Sequence, residues 1–103
     1  MRGLKLRSEH HVDYVYAAGI IDRVEGRFNY SSADFSGFTP AKLKDYVDRT
    51  NSLLRDIARA IATGNTLSSP YQQMWVWGHA DKLRGELMAV RAQLESMLDK
   101  NKN

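Results

Sequence analysis

Cysteine is absent from this chain, so disulfides and thiolate metal sites are excluded and a reducing compartment suits it. Proline occurs twice, at Pro40 and Pro70, and histidine three times, at His10, His11 and His79. No apolar run approaches the roughly 20 residues that cross a bilayer; the longest, Tyr14 to Ile21, is far shorter. The basic N-terminus leads into a charged, histidine-bearing stretch, without the apolar run and small-residue cleavage site of a secretory leader. The Asn29-Tyr30-Ser31 sequon therefore carries no weight, and the cytoplasm is the expected location.

The constellations of catalysis are missing as well. There is no glycine-rich phosphate loop, no nucleophile elbow and no paired cysteine ligands. His10 and His11 point about 100° apart on a helix, so they cannot both face one metal. His10 with Asp13 or Tyr14 would give only a two-ligand site. The expectation is a protein that is not an enzyme and uses neither metal nor cofactor.

What is present has the composition of one globular domain: 103 residues, 43% apolar and 26% charged. A chain of this length buries a modest core, so association with another chain is a ready source of stability. The net charge of +3, from 15 basic and 12 acidic residues, permits an anionic partner without requiring one. The charges are mostly interleaved, whereas dedicated nucleic-acid binders cluster them on one face.

The strongest pattern lies near the C-terminus. Val76, Ala80, Leu83, Leu87, Val90, Leu94 and Met97 recur at steps of four and three, the stripe of a single helix. Ser69-Pro70 supplies a capping hydroxyl and a proline at the first turn, and predicts a helix over 70–99. Thr39-Pro40 repeats that start, with Phe38 placed as a staple, and predicts a second helix over 40–63. Its stripe is Leu43, Val47, Thr50, Leu54, Ile57 and Ile61, broadened by Tyr46, Leu53 and Ala58, and Gly64-Asn65 reads as its C-cap. The short connection between the two predicts an antiparallel hairpin packed stripe to stripe.

Ahead of the hairpin, Ser8 and Gly26 bracket a candidate helix over 9–25, with Val12, Val15, Tyr16, Gly19, Ile20 and Val24 at helical spacing. The run from Tyr14 to Ile21 is apolar almost all round, so periodicity alone leaves a buried strand open for residues 12–21. Residues 1–7 read as a basic arm carrying Arg2, Lys5 and Arg7. Residues 26–39 form a loop dense in Phe28, Tyr30, Phe35 and Phe38, whose rings are expected to fold over the helix ends and complete the core. The expected fold is all-α: three helices, with helices two and three as a long antiparallel hairpin and an aromatic-rich loop after helix one.

Ala18-Gly19-Ile20-Ile21-Asp22, followed by Glu25-Gly26-Arg27-Phe28, resembles the signature helix of the LAGLIDADG homing endonucleases. That resemblance, covering about a tenth of the chain, implies a helix ending in a metal-binding acid and followed by a strand. The pattern departs where Arg23-Val24 precede the second acid and glycine, and the repeated strands of a DNA-reading saddle are missing downstream. No function is carried across.

The remaining signal is the cluster Tyr71, Met74, Trp75, Trp77 and His79, with Arg84 and Arg91 further along one strip. Val76 points into the hairpin, and Trp75 and Trp77 lie about 100° to either side, so helix two alone cannot cover both. A 70–99 helix is also about 45 Å long and helix two about 36 Å, so part of the longer helix is left over. These features predict an intracellular protein–protein interaction module, a regulator, adaptor or inhibitor of the kind bacteria and phages encode, with a homodimer as one form of partnership. The alternative is a nucleic-acid-binding regulator using Arg2, Lys5, Arg7, Arg23 and Arg27, with Arg84 and Arg91.

Overall fold

A computed structural model describes the backbone of residues 2–102 and the side chains of residues 12–100. Three helices follow in order: α1 (Arg2–Arg27), α2 (Pro40–Gly64) and α3 (Pro70–Lys102). No strand occurs among the described residues, so the stretch 12–21 is helical.

The two hairpin helices start as their caps dictate. The Lys42 N–H donates to Thr39 Oγ1 at 3.2 Å, and the Gln72 N–H to Ser69 Oγ at 3.4 Å, each filling a donor that the first turn leaves free. The end of α2 departs from the expected C-cap. Gly64 is the last helical residue, Asn65 has φ −65°, and no glycine among the described residues adopts a positive φ. Its absent side chain serves packing instead: a Cβ at Gly64 would sit 3.0 Å from Val76 Cγ1 and 3.1 Å from Trp77 Nε1. Gln73 then donates through Nε2 to the Gly64 carbonyl at 3.1 Å, satisfying one of the carbonyls the helix end frees.

Those contacts set the hairpin register. Residue 64 faces 76 and 77, and residue 51 faces 91, because Arg91 donates to Asn51 Oδ1 at 3.1 Å. Pro40 therefore stands opposite the last turn of α3, and the surplus length of α3 falls at its start. The first two turns of α3 run past the end of α2. Between the hairpin helices lie Leu43, Val47, Thr50, Leu53, Ile57 and Ala60 of α2 and Val76, Ala80, Leu83, Leu87, Val90 and Leu94 of α3, all buried. Leu54 and Ile61 are half-buried flanks of the α2 stripe, and Ala58 is exposed.

α1 lies along the hairpin and buries Ala17, Ile20, Ile21 and Val24. It differs from the sequence expectation in two ways. The backbone is helical from Arg2, so Ser8 falls inside the helix and residues 2–7 continue it rather than forming an arm before it. Gly3 is the one poor helix former in that segment, and the Leu, Lys and Arg around it are good ones. Further, Val12, Val15, Tyr16 and Gly19 share an outward face and are exposed; of the six residues read as its stripe, only Ile20 and Val24 are buried. A helix apolar on both sides offers no moment to choose its buried face, and tertiary contacts choose it.

The loop 28–39 folds over the N-terminal end of α2. Phe28, Tyr30 and Phe35 are buried, and Phe38 packs beside them. Tyr46 is their meeting point, with ring centroids 5.0 Å from Tyr30 and 5.1 Å from Phe38. The edge-on approach of Tyr30 suits the ring quadrupoles. Asp34 Oδ1 accepts the Ser36 N–H at 3.0 Å, a local turn that holds the Asp34 carboxyl below its ordinary range.

The assembly is a rod measuring 65 × 18 × 17 Å, with a radius of gyration of 17.1 Å. A compact chain of this length would have about 13 Å. Among the described residues no helix is long and apolar enough to cross a membrane.

Candidate interaction surface

One ring contact fixes the end of the rod where α1 and α3 meet. The Tyr14 and Trp75 centroids lie 5.8 Å apart in an edge-to-face arrangement. Asp13 of α1 sits at the same level, its Oδ2 3.3 Å from the hydroxyl of Thr66 in the α2–α3 connection. Beyond this level α2 has ended. Each helix here has one side packed and one side without a neighbour among the described residues.

The side chains on those open sides are apolar. Tyr71 is 87% exposed and Met74 69%, on the outer face of α3. Val12 and Val15 are 62% and 52% exposed on the outer face of α1, with Tyr16 beside them. Trp77, on the other flank of α3, is 39% exposed. Six of the seven exposed large hydrophobic residues among the described ones thus lie toward this end; Met88 stands apart, about four turns along α3 from Met74. Scattered exposed apolar residues are ordinary, whereas a concentration at one end is a mark of interaction sites.

Two stretches near this end are free of charge, with Asp13 standing just before the first. No Lys, Arg, Asp or Glu occurs from Ala60 to Ala80, nor from Tyr14 to Ile21. The hairpin tip and the outer faces near it therefore carry aromatic, methionine and small polar residues, the composition of an interface centre. Sequence reasoning noticed the Tyr71–His79 cluster but assigned Val12, Val15 and Tyr16 to the core.

The residues singled out from sequence separate into groups. Trp75 is half-buried, braced by Tyr14 on one side and by the His79 ring stacked at 4.1 Å on the other. His79 Nδ1 lies 2.8 Å from the Trp75 carbonyl oxygen; a carbonyl only accepts, so that nitrogen carries the proton and donates. Trp77 lies over Gly64 and lines an open groove of about 420 Å³ with Ile61, Asn65, Gly78, Asp81 and Arg84. Arg84 pairs with Asp81 on its own helix. Arg91 is drawn across the hairpin to Asn51, with Glu95 at 3.7 Å, so it ties α3 to α2. Neither arginine belongs to the apolar end proper.

The candidate nucleic-acid contacts are dispersed. Arg23 and Arg27 are exposed on α1, and Arg27 lines a groove with Asn29, Arg49 and Ser52. Arg49 is already engaged, 3.4 Å from Asp45 and 4.6 Å above the Tyr46 ring. Arg2, Lys5, Arg7, His10 and His11 lie outside the residues whose side chains are described. Among the described residues, no group of three or more His, Asp or Glu is placed to hold a metal ion.

Comparison of the chain with protein-family models, curated proteins and solved structures finds no match.

Proposed function

We propose that the protein is a protein–protein interaction module that docks through the open end of its rod. The observation that carries this reading is the coincidence of exposed Val15, Tyr16, Tyr71 and Met74 with stretches free of charge. Apolar and aromatic groups that leave water on binding supply most of the affinity of an interface, and charges left unpaired there would oppose it. The bracing of Trp75 between Tyr14 and His79 supports the same reading, because a ring already held in place loses little freedom on binding.

The test is affinity capture by the immobilised full chain, compared with the Tyr71→Ala/Met74→Ala double variant. Both side chains lie largely in solvent, so the variant should keep its helicity by circular dichroism while losing its captured protein. An unchanged capture profile would remove this surface from consideration. Nucleic-acid binding is the competing function: it predicts a DNA or RNA complex at low salt that weakens steeply as salt rises and ignores Tyr71 and Met74.

A further inference from the structure

We propose that the groove between the end of α1 and the middle of α2 binds a phosphomonoester, holding its terminal phosphate between Arg27 and Arg49. The groove lies about three turns of α2 away from Gly64. It is separate from the docking surface, so either assignment stands or falls without the other.

Buried neighbours build this groove. Phe28 and Tyr30 are buried, and Arg27 and Asn29, which alternate with them, are exposed. The Phe28 N–H donates to the Val24 carbonyl at 2.8 Å, and Tyr30 is bonded to Thr50 of α2 at 2.7 Å. These anchors lay residues 26–29 against the edge of α2 that carries Arg49, Ser52 and Leu53. The three stand at i, i+3 and i+4, one edge of a helix, and Leu53 is buried. The groove measures about 500 Å³, within the roughly 300–1,000 Å³ of small-molecule sites.

Its lining is Gly26, Arg27, Asn29, Arg49, Ser52 and Leu53: two guanidiniums, an amide, a hydroxyl and no carboxylate. Two cations facing one groove repel each other, and an anion between them relieves that repulsion. Arg27 makes no ion pair among the described residues. Arg49 stands 3.4 Å from Asp45, but their side chains are 49% and 65% exposed, and such a pair is readily exchanged for another. Arg49 Cζ also rests 4.6 Å over the Tyr46 ring, which steadies the side chain. A guanidinium has five N–H donors, so several remain for a ligand. The carbonyls at the end of α1 oppose an anion with about half a charge, less than the two positive charges of the lining.

The charge count selects the ligand. A phosphomonoester carries about −1.5 to −2 at pH 7 and offers three terminal oxygens. A phosphodiester or a carboxylate brings a single charge and two such oxygens. Two forked guanidiniums match the monoester in both respects, and Asn29 and Ser52 add neutral donors.

Phenyl phosphate is the probe, titrated into the full chain and followed by amide NMR at fixed ionic strength. Saturating shifts should gather at residues 26–29 and 49–53, with a dissociation constant of about 1 mM or below. Arg27→Gln and Arg49→Gln should each weaken binding about tenfold, the loss of one charge-assisted contact. Arg23→Gln, at an exposed arginine outside the groove, should leave binding unchanged. Below about pH 6 the probe regains its second proton and should bind more weakly. Circular dichroism checks that each variant is folded, and Arg27, exposed and unpaired among the described residues, gives a variant with little to lose in stability. No saturating shift at about 10 mM probe, ten times that constant, overturns the site. Undiminished binding by both glutamine variants overturns it as well. Dimethyl phosphate, or an oligonucleotide without terminal phosphates, binding as tightly and with the same arginine dependence overturns the monoester in favour of a phosphodiester.

Discussion

Thr50→Val should cost more stability than Tyr30→Phe, although both remove the same hydrogen bond. The Tyr30 hydroxyl and Thr50 Oγ1 are 2.7 Å apart, and both residues are buried. Thr50 Oγ1 is also 2.7 Å from the Tyr46 carbonyl oxygen, which can only accept. The threonine proton therefore goes to Tyr46, and the tyrosine must donate to Thr50. Tyr30→Phe removes that donor and leaves Thr50 still bonded to Tyr46, a loss of about 1 kcal/mol. Thr50→Val keeps the shape but strands a buried tyrosine hydroxyl with no acceptor, which costs about 2 kcal/mol. The Tyr46 carbonyl keeps its helical N–H partner in either case. The double variant Tyr30→Phe/Thr50→Val strands nothing, so it should cost about as much as Tyr30→Phe alone and clearly less than the sum. Urea or thermal unfolding of the four proteins measures this cycle, with each kcal/mol worth about 4–8 °C in Tm at this size. Additive losses, or a valine variant no worse than the phenylalanine one, would refute the assigned direction of the bond.

Alkaline pH tests the same pair. Burial raises the Tyr30 hydroxyl above its ordinary value of 10.0. Above pH 10 the unfolded chain loses this proton before the folded one, so stability should be level below 10 and fall as pH rises beyond it; Tyr30→Phe should flatten that fall in pH-dependent urea titrations. Gly64→Ala should destabilise by about 1–2 kcal/mol, because the methyl presses on buried Val76, and overpacking outweighs the small helix-propensity gain at a helix end. Gly85→Ala, with open space around its Cβ position, should instead stabilise by up to about 1 kcal/mol in the same melts. An equal response at the two glycines would show that Val76 and Trp77 yield freely.

The hairpin was legible in the sequence for a simple reason. Val76, Ala80, Leu83, Leu87, Val90 and Leu94 form one narrow stripe among polar residues, so only one face of α3 could be buried, and each of these residues is. The caps at Thr39 and Ser69 are local hydrogen bonds, and local bonds can be read from local sequence. The loop aromatics were also readable, because rings so closely spaced have few ways to leave water except by covering the core. In α2 the stripe was read one position off, Leu54 for Leu53, since adjacent leucines give periodicity no means of choosing the central one.

α1 obeyed a different logic. Its outward set, Val12, Val15 and Tyr16, and its inward set, Ala17, Ile20, Ile21 and Val24, are both apolar, so helical spacing alone could not assign the buried side. Gly64 likewise looked like a chain-reversing cap, and only the approach of Val76 and Trp77 shows that it makes room for α3. The candidate surface depends on both decisions. Local pattern and capping chemistry determined the α2–α3 hairpin and the burial of the loop rings, while leaving helix or strand open for residues 12–21. Where the surplus of α3 falls, and which face of α1 meets water, were decided by contacts between residues distant in the chain: Tyr14 with Trp75, Gly64 with Val76, and Asn51 with Arg91.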